Sequence, residues 1–457
     1  MSAARSILGV SPVLGRAEAE AIARKVLSFA TADETRVVVN SSTHANTRWA
    51  VNQVSTAGDS TNATVSVRSA FGARSAVSTT NRLDDAALRE VVRSAETLAK
   101  LSPEDPEAMP ELAPQQYAEA KGWSDVTAQL DPAARAAAVR KICDAAAAEN
   151  LVATGFLDAT GNAQAIANSK GLFAYGRGSE AALTTTVRTA DGRGSGWGGG
   201  AHWDWARIDA EALGRRAIEK AKASRDPVAI EPGRYTVVLE PTAVGNLVQL
   251  IAGSLAARGA DEGRSFFSKP GGGNKIGSKV VDERVTILSD PFDADVAGNP
   301  FTNEGLPTRR SVWIENGVVR NLNYDRYWAQ KKGVSPTASG GSLKMSGGSS
   351  TMEEMIASTP RGLLVTRFWY LRPVDQRTIL YTGLTRDGTF LIENGKITRA
   401  VKNLRFNDSP VFMLNNLEAL GTPVRVSASE NGGPGQAIMV PALKVRDFNF
   451  TSLSDAV

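Results

Sequence analysis

The chain has 457 residues, 42% hydrophobic and 22% charged, the make-up of an ordinary globular protein long enough for two domains. Its net charge of +4 comes from 52 basic and 48 acidic residues, a surplus too small to indicate nucleic acid without a clustered patch. One cysteine, Cys143, and two histidines, His44 and His202, exclude an intrachain disulfide, a thiolate zinc cluster and a histidine-rich metal site.

Residues 14–30 have helical spacing, with Ala19, Ile22, Ala23, Val26 and Leu27 able to share one face. Strand-like runs follow at 36–39, 47–54 and 63–67, with His44 read as an exposed turn residue between the first two. A second helix is expected from Asp84 or Asp85, with a stripe of Leu88, Val91, Val92, Ala95, Leu98 and Ala99. Residues 101–130, rich in proline and acid, read as a connecting arm. Asp131-Pro132 then opens a helix, cap first and proline in the first turn.

The pattern then recurs. A strand at 163–167, the turn Asn168-Ser169-Lys170-Gly171, a strand at 181–187 and a glycine-rich turn lead to a helix opening at Ile208-Asp209-Ala210. That opening resembles Leu83-Asp84-Asp85, so residues 1–225 read as a duplicated helix–strands–helix unit. Asp226-Pro227 and Glu231-Pro232-Gly233 punctuate the chain, which divides it into an α/β domain at 1–228 and a β-rich domain at 229–457. The expected fold class is α+β.

Beyond the boundary one convincing helix opens at Pro241, after the strand-like run 234–239. Val244, Leu247, Val248, Ile251 and Leu255 form its apolar stripe, while Thr242, Asn246, Gln249 and Gly253 fall on another side that could face a cleft. Asn316-Gly317 and Asn394-Gly395 each supply the two positive φ angles of a type I′ turn, so both specify hairpins. Residues 333–350, full of glycine and serine, read as a mobile loop or lid.

Several chemistries find no support. Residues 194–199 fit a Gly-x-Gly-x-x-Gly pattern without the strand-to-helix setting a dinucleotide needs. His202 stands near Asp204 and Ser195, but no Gly-x-Ser-x-Gly elbow is present. No stretch approaches the ~18 apolar residues of a spanning helix. No basic segment followed by a long apolar core marks a secretory signal, so the cytoplasm is the expected compartment.

The run Pro241-Thr242-Ala243-Val244-Gly245-Asn246 reads like a zinc-peptidase helix of His-Glu-x-x-x-His type whose imidazoles and carboxylate are gone. With it, Thr47 to Gln53, Asn168 to Gly171, Asn303-Glu304-Gly305-Leu306-Pro307 and the run Gly388 to Ile397 occur in the order of the TldD/PmbA family, once called modulators of DNA gyrase. The chain resembles that family over residues 36–445.

The resemblance implies a zinc held, in the catalytic TldD branch, by two histidines of the helix and a later cysteine in a Cys-Gly-x-x-Gly-Gln turn. Those positions correspond to Pro241, Thr242 and Asn246, and to Asn431 in Asn431-Gly432-Gly433-Pro434-Gly435-Gln436. The implied protein is therefore the zinc-free TldE (PmbA) type of subunit, inactive alone and without a cofactor of its own. Zinc is expected in a TldD-like partner, and unfolded peptides are the implied substrate. Gln249, Gly432 and Gln436 are expected to line the degenerate pocket. Pairing with a TldD-like subunit is the expected assembly, with a homodimer as the alternative for the isolated chain and no membrane or nucleic-acid partner.

Overall fold

The computed structural model describes residues 13–427 and 438–454. Its N-terminal half is built from two copies of one element order. The first copy is helix α1 (Arg16–Leu27), strands β1 (Glu34–Ala50), β2 (Gln53–Phe71) and β3 (Arg74–Thr80), and helix α2 (Asp85–Leu101). After the arm and the single turn α3 (Asp125–Ala128) come α4 (Pro132–Ala148), β4 (Leu151–Asn168), β5 (Phe173–Thr189), β6 (Ser195–His202) and α5 (Ala210–Ala223).

The six strands form one antiparallel sheet in the order β3-β2-β1-β4-β5-β6, so the two copies join along β1 and β4. Helices of each copy cover one face of that sheet. Val37, Val39, Val65 and Val67 pack with Val26, Val91 and Val92 under α1 and α2. Trp49, Leu157 and Leu183 pack with Ile142 and Leu213 under α4 and α5.

Local chemistry sets the helix starts. Asp84, Asp131 and Asp209 each accept a hydrogen bond from a first-turn amide, of Ala87, Ala133 and Ala212, at 3.0, 2.7 and 2.9 Å. The stripe of α2 is buried as expected except for Leu98, which is half exposed near the helix end.

The strands differ from the sequence reading. The runs at 36–39, 47–54 and 63–67 belong to just two strands of 17 and 19 residues. Their turn lies at Val51-Asn52, both with positive φ, and β3 follows unannounced. His44 sits inside β1, opposite Ser60 and Thr160, and not in a turn. The glycine-rich turn before Ile208 includes a strand, β6. There a Cβ on Gly196 or Gly198 would stand 2.2 Å from the Ala217 or Leu213 carbonyl oxygen, so bare backbone lets α5 lie directly on the strand.

The C-terminal half runs β7 (Gly233–Leu239), α6 (Pro241–Ala252), α7 (Ala257–Asp261), β8 (Ile287–Ser289), β9 (Ser311–Glu315), β10 (Val318–Val319), α8 (Arg326–Lys332) and β11 (Leu343–Met345). It continues with α9 (Met352–Ala357), β12 (Arg361–Val365), β13 (Phe368–Asp375), β14 (Leu380–Thr385), β15 (Thr389–Glu393) and β16 (Lys396–Ala400). The last elements are β17 (Leu404–Asp408), α10 (Pro410–Asn415), β18 (Leu417–Leu420), β19 (Val424–Val426), β20 (Ile438–Val440) and β21 (Leu443–Leu453).

These strands make two sheets. One has the order β10-β9-β8-β11-β20-β19; the other has β13-β14-β17-β21-β7-β12-β15-β16, with β18 on β21. Helix α6 lies between them, touching β19 and β20 on one side and β7 and β13 on the other. Every residue from Ala243 to Val248 is buried, as expected for a helix enclosed on all sides. Both Asn-Gly hairpins are present, with φ of 49° and 78° at residues 316 and 317 and of 50° and 74° at 394 and 395.

The segment read as a lid is not one along its whole length. Leu343–Met345 is an interior strand paired to β8 and β20, with Leu343 and Met345 fully buried. Among the described residues, no helix is long and apolar enough to cross a membrane.

Candidate functional site: the start of helix α6

Strand β7 delivers the chain to Glu240, whose extended backbone precedes Pro241 at the first helical position. The Glu240 side chain does not cap the helix. Its Oε2 accepts from Lys220 Nζ on α5 at 2.7 Å, tying the N-terminal half to the mouth of α6. Burial pushes the Lys220 ammonium down, and the Glu240 carboxylate beside it opposes that shift. Nearby, Ser195 Oγ donates to Asp387 Oδ1 at 2.6 Å, and the Arg367 guanidinium lies 3.5 Å from the same carboxylate.

Asn246, one and a half turns along, is 2% exposed. Its Oδ1 accepts the backbone N–H of Phe368 at 3.1 Å, at the first residue of β13. Gln249 is half-buried, and its Nε2 donates to the Asn246 carbonyl at 3.2 Å. Pro241 and Thr242 are half-buried at the helix start. Asn431, Gly432 and Gln436 lie outside the described residues.

Zinc takes thiolate, imidazole or carboxylate ligands. Pro241 offers no side-chain donor, Thr242 a neutral hydroxyl, and Asn246 a neutral amide whose oxygen already holds a strand amide. This donor set does not fit the ion. Among the described residues, no group of three or more histidine, cysteine, aspartate or glutamate side chains could hold a metal.

The two histidines have other work. His202 Nδ1 accepts the Asp204 N–H at 2.9 Å, and burial, then Arg425 and Arg207, lower its pKa. His44 Nε2 stands 2.5 Å from Asp158 Oδ1 across β1 and β4, and burial raises the Asp158 pKa against the opposing pull of His44. Nothing local in the sequence announces that pair. Cys143 lies on the buried face of α4, and burial, with Asp144 nearby, pushes its thiol up to about 11.

Two asparagines of the motifs are structural. Asn52 donates to the Leu151 carbonyl at 2.8 Å and accepts from the Ala153 amide at 2.6 Å, stapling the β1–β2 hairpin to β4. Asn168 donates to the Leu112 carbonyl at 2.7 Å and accepts from Lys170 and Leu172, fixing both the arm and the β4–β5 turn.

Three family models match the chain in order: PmbA/TldA metallopeptidase domain 1 over residues 36–99, the central domain over 125–225 and the C-terminal domain over 232–452. The chain belongs to the PmbA/TldD family. Curated relatives in this family include a metalloprotease of Methanothermobacter thermautotrophicus, 28% identical over 269 residues, which cover 53% of this chain and 55% of that protein. Metalloprotease PmbA of Escherichia coli O157:H7 is 24% identical over 249 residues, covering 53% of this chain and 50% of the other. The chain spans about half the length of the curated relatives it matches.

Solved structures extend the likeness across the fold. TldE from Thermococcus kodakarensis superposes with a TM-score of 0.82 at 19% identity, covering 94% of this chain and 99% of the other. A Thermotoga maritima protein described as a candidate modulator of a DNA gyrase gives 0.83 at 19% identity, covering 94% and 100%. At that identity the PmbA/TldD fold is what is shared.

Proposed function

We propose that this chain is the zinc-free, TldE-like subunit of a TldD/TldE-type metallopeptidase, which encloses a substrate whose chemistry occurs on a zinc-bearing TldD-like partner. Unfolded peptides are the proposed substrates, a heterodimer the proposed unit of assembly, and the cytoplasm its compartment. The observation that carries the reading is Asn246. It stands where the family resemblance expects a histidine, inside the core and bound to the Phe368 amide, behind Pro241 and Thr242. A water-activating metal centre needs ligands, an open position and a base. The fold shared with TldE supports the same role.

The test is co-expression with a TldD-like protein carrying a His-Glu-x-x-x-His helix. The two chains are expected to co-elute on size exclusion, and the pair, but not this chain alone, to digest an unfolded peptide in a chelator-sensitive way. One zinc per isolated chain, or chelator-sensitive cleavage by it, would overturn the assignment in favour of a stand-alone peptidase. Salt-dependent DNA binding, or capture of a topoisomerase without proteolysis, would favour a regulator instead.

A further inference from the structure

On the face of the N-terminal sheet opposite its helices, polar rows follow an apolar one, Val38, Ile166 and Ala174, that packs under Phe301. Asn40, Gln164 and Gly176 are register partners across β1, β4 and β5, and Ser42, Asn162 and Gly178 form the next row. Because side chains alternate between faces, both rows lie on the side away from Val39 and Ala165, which are buried beneath the helices. Loops of the C-terminal half, 297–303 and 340–341, roof these rows and enclose a cleft of about 600 Å³.

The lining sets uncharged amides among apolar Pro300 and Phe301 and the Arg177 guanidinium, which lies over the Trp123 ring. Gln164 Nε2 donates to Asn40 Oδ1 at 3.0 Å, while Asn162, Asn299 and Asn303 make no side-chain hydrogen bond to another described residue. Between these amides the wall is open bare backbone at Gly178 and Gly341, whereas Gly176 packs under Pro300 and Gly298 and Gly340 pack against the loops themselves. Glu180, the carboxylate in the lining, is held by Arg425 at 2.7 and 2.8 Å. Side-chain amides present one donor group beside one acceptor, the complement of a peptide unit, and glycine lets another main chain approach closely.

We propose that this cleft binds the main chain of an extended peptide, through the amides of Asn162, Asn299 and Asn303, as a holding site separate from α6. The proposal rests on the peptide-handling role given above. Main-chain recognition by uncharged amides makes few demands on sequence, as an unfolded substrate requires. A carbohydrate is the rival ligand. Trp203, the aromatic residue of the cleft most suited to stacking on a sugar, is tied through Nε1 to the Ala294 carbonyl at 2.8 Å and packs against His202.

Gly178 gives a clean test. A Cβ there would meet only the Gly122 carbonyl oxygen, at 3.7 Å, so Gly178→Leu can fill the cleft with little backbone displacement. The probe is a dye-labelled, unstructured, uncharged peptide, titrated by fluorescence anisotropy against the isolated full chain. Gly178→Leu is expected to weaken binding about tenfold or more, and Asn162→Ala with Asn303→Ala about fivefold, the scale of one or two neutral hydrogen bonds. Melting curves check folding, and the asparagine pair, being exposed, keeps the test valid if the leucine variant unfolds.

Binding unchanged in both variants, or no binding by the wild-type chain, would overturn the proposal, as would displacement of the peptide by an unbranched oligosaccharide. Pairing with a TldD-like partner and digestion by the pair are read separately. Their loss would sink the subunit assignment, whereas unaltered peptide binding by both cleft variants with pairing intact would sink only the cleft.

Discussion

Arg425 Nη2 lies 2.7 and 2.8 Å from the two carboxylate oxygens of Glu180, joining β19 of the C-terminal half to β5 of the N-terminal sheet across 245 positions of sequence. The same guanidinium donates to the Ala201 and Asp295 carbonyls at 2.8 and 2.5 Å, so all three of its nitrogens are engaged. Burial raises the Glu180 pKa, and Arg425 opposes that rise without cancelling it. Removing Arg425 leaves a largely buried carboxylate unpaired, which costs about 3–5 kcal/mol. Arg425→Ala is therefore expected to lower the urea midpoint sharply. The loss should be greater at pH 8 than at pH 4, because the stranded carboxyl then rests protonated at the lower pH. An equal loss at both values would show that Glu180 is not the partner that matters.

Asn246 and Phe368 make the corresponding contact inside the C-terminal core. Asn246→Ala orphans the Phe368 amide and leaves a small void, at a cost of about 1–3 kcal/mol. Asn246→His, the change a zinc site would require, adds volume where the residue is 2% exposed and should cost a similar ~1–3 kcal/mol through overpacking. Denaturation of the two variants checks both values. A chain carrying Pro241→His, Thr242→Glu, Asn246→His and Asn431→Cys is expected to take up some zinc with little turnover, because supporting groups around the ligands are still missing, and no zinc uptake would show that the four positions do not converge.

Gly198 and Gly200 separate backbone contact from side-chain contact in β6. A Cβ at Gly198 would meet the Leu213 carbonyl oxygen at 2.2 Å, which only movement of α5 can relieve. At Gly200 the nearest atom is Leu213 Cδ1 at 3.3 Å, the end of a side chain that can turn. Gly198→Ala is expected to cost about 1–3 kcal/mol and Gly200→Ala less than about 1. Thermal melts compare them directly, and equal losses would mean that β6 weakness, not helix contact, sets the cost.

What the sequence disclosed followed the range of each interaction. The cap at Asp131, the helix starts near Asp84 and Asp209 and the two Asn-Gly hairpins depend on neighbours a few positions away, and the sequence places them correctly. The long strands look broken in the sequence because Asn40 to Asn46 carries mostly polar side chains, and a strand with one polar face and one helix-covered face loses its apolar run there. Strands β6 and β11 lay hidden in glycine and serine, where close packing needs small residues and imitates a loop. At the site, the order Pro241, Thr242, Asn246 was legible as a donor set that fails. That Asn246 is a core residue was not, since Phe368 lies 122 positions away. The His44–Asp158 pair was invisible for the same reason.

Asp408, at the end of β17, gives the clearest dependence on pH. Burial pushes its carboxyl up to about 6, against the pull of the Asn449 and Ser409 amides and of Arg234. Its two oxygens accept from Ser409 N at 2.7 Å and Asn449 N at 2.9 Å, fastening β17 to β21. Below about pH 3 the group is protonated in both folded and unfolded chains and contributes no difference. As pH rises from the ordinary value of 3.8, the unfolded chain releases its proton first, while the folded chain holds on until about 6. Stability therefore falls through that window and levels above it, by ~3 kcal/mol for a two-unit shift at 1.36 kcal/mol per unit. Asp408→Asn keeps an acceptor for one amide and removes the titration. Its urea-derived stability should change less than that of the native chain between pH 4 and pH 6.5. Curves that stay parallel across that range would show that Asp408 ionises as freely in the folded protein as in the unfolded one.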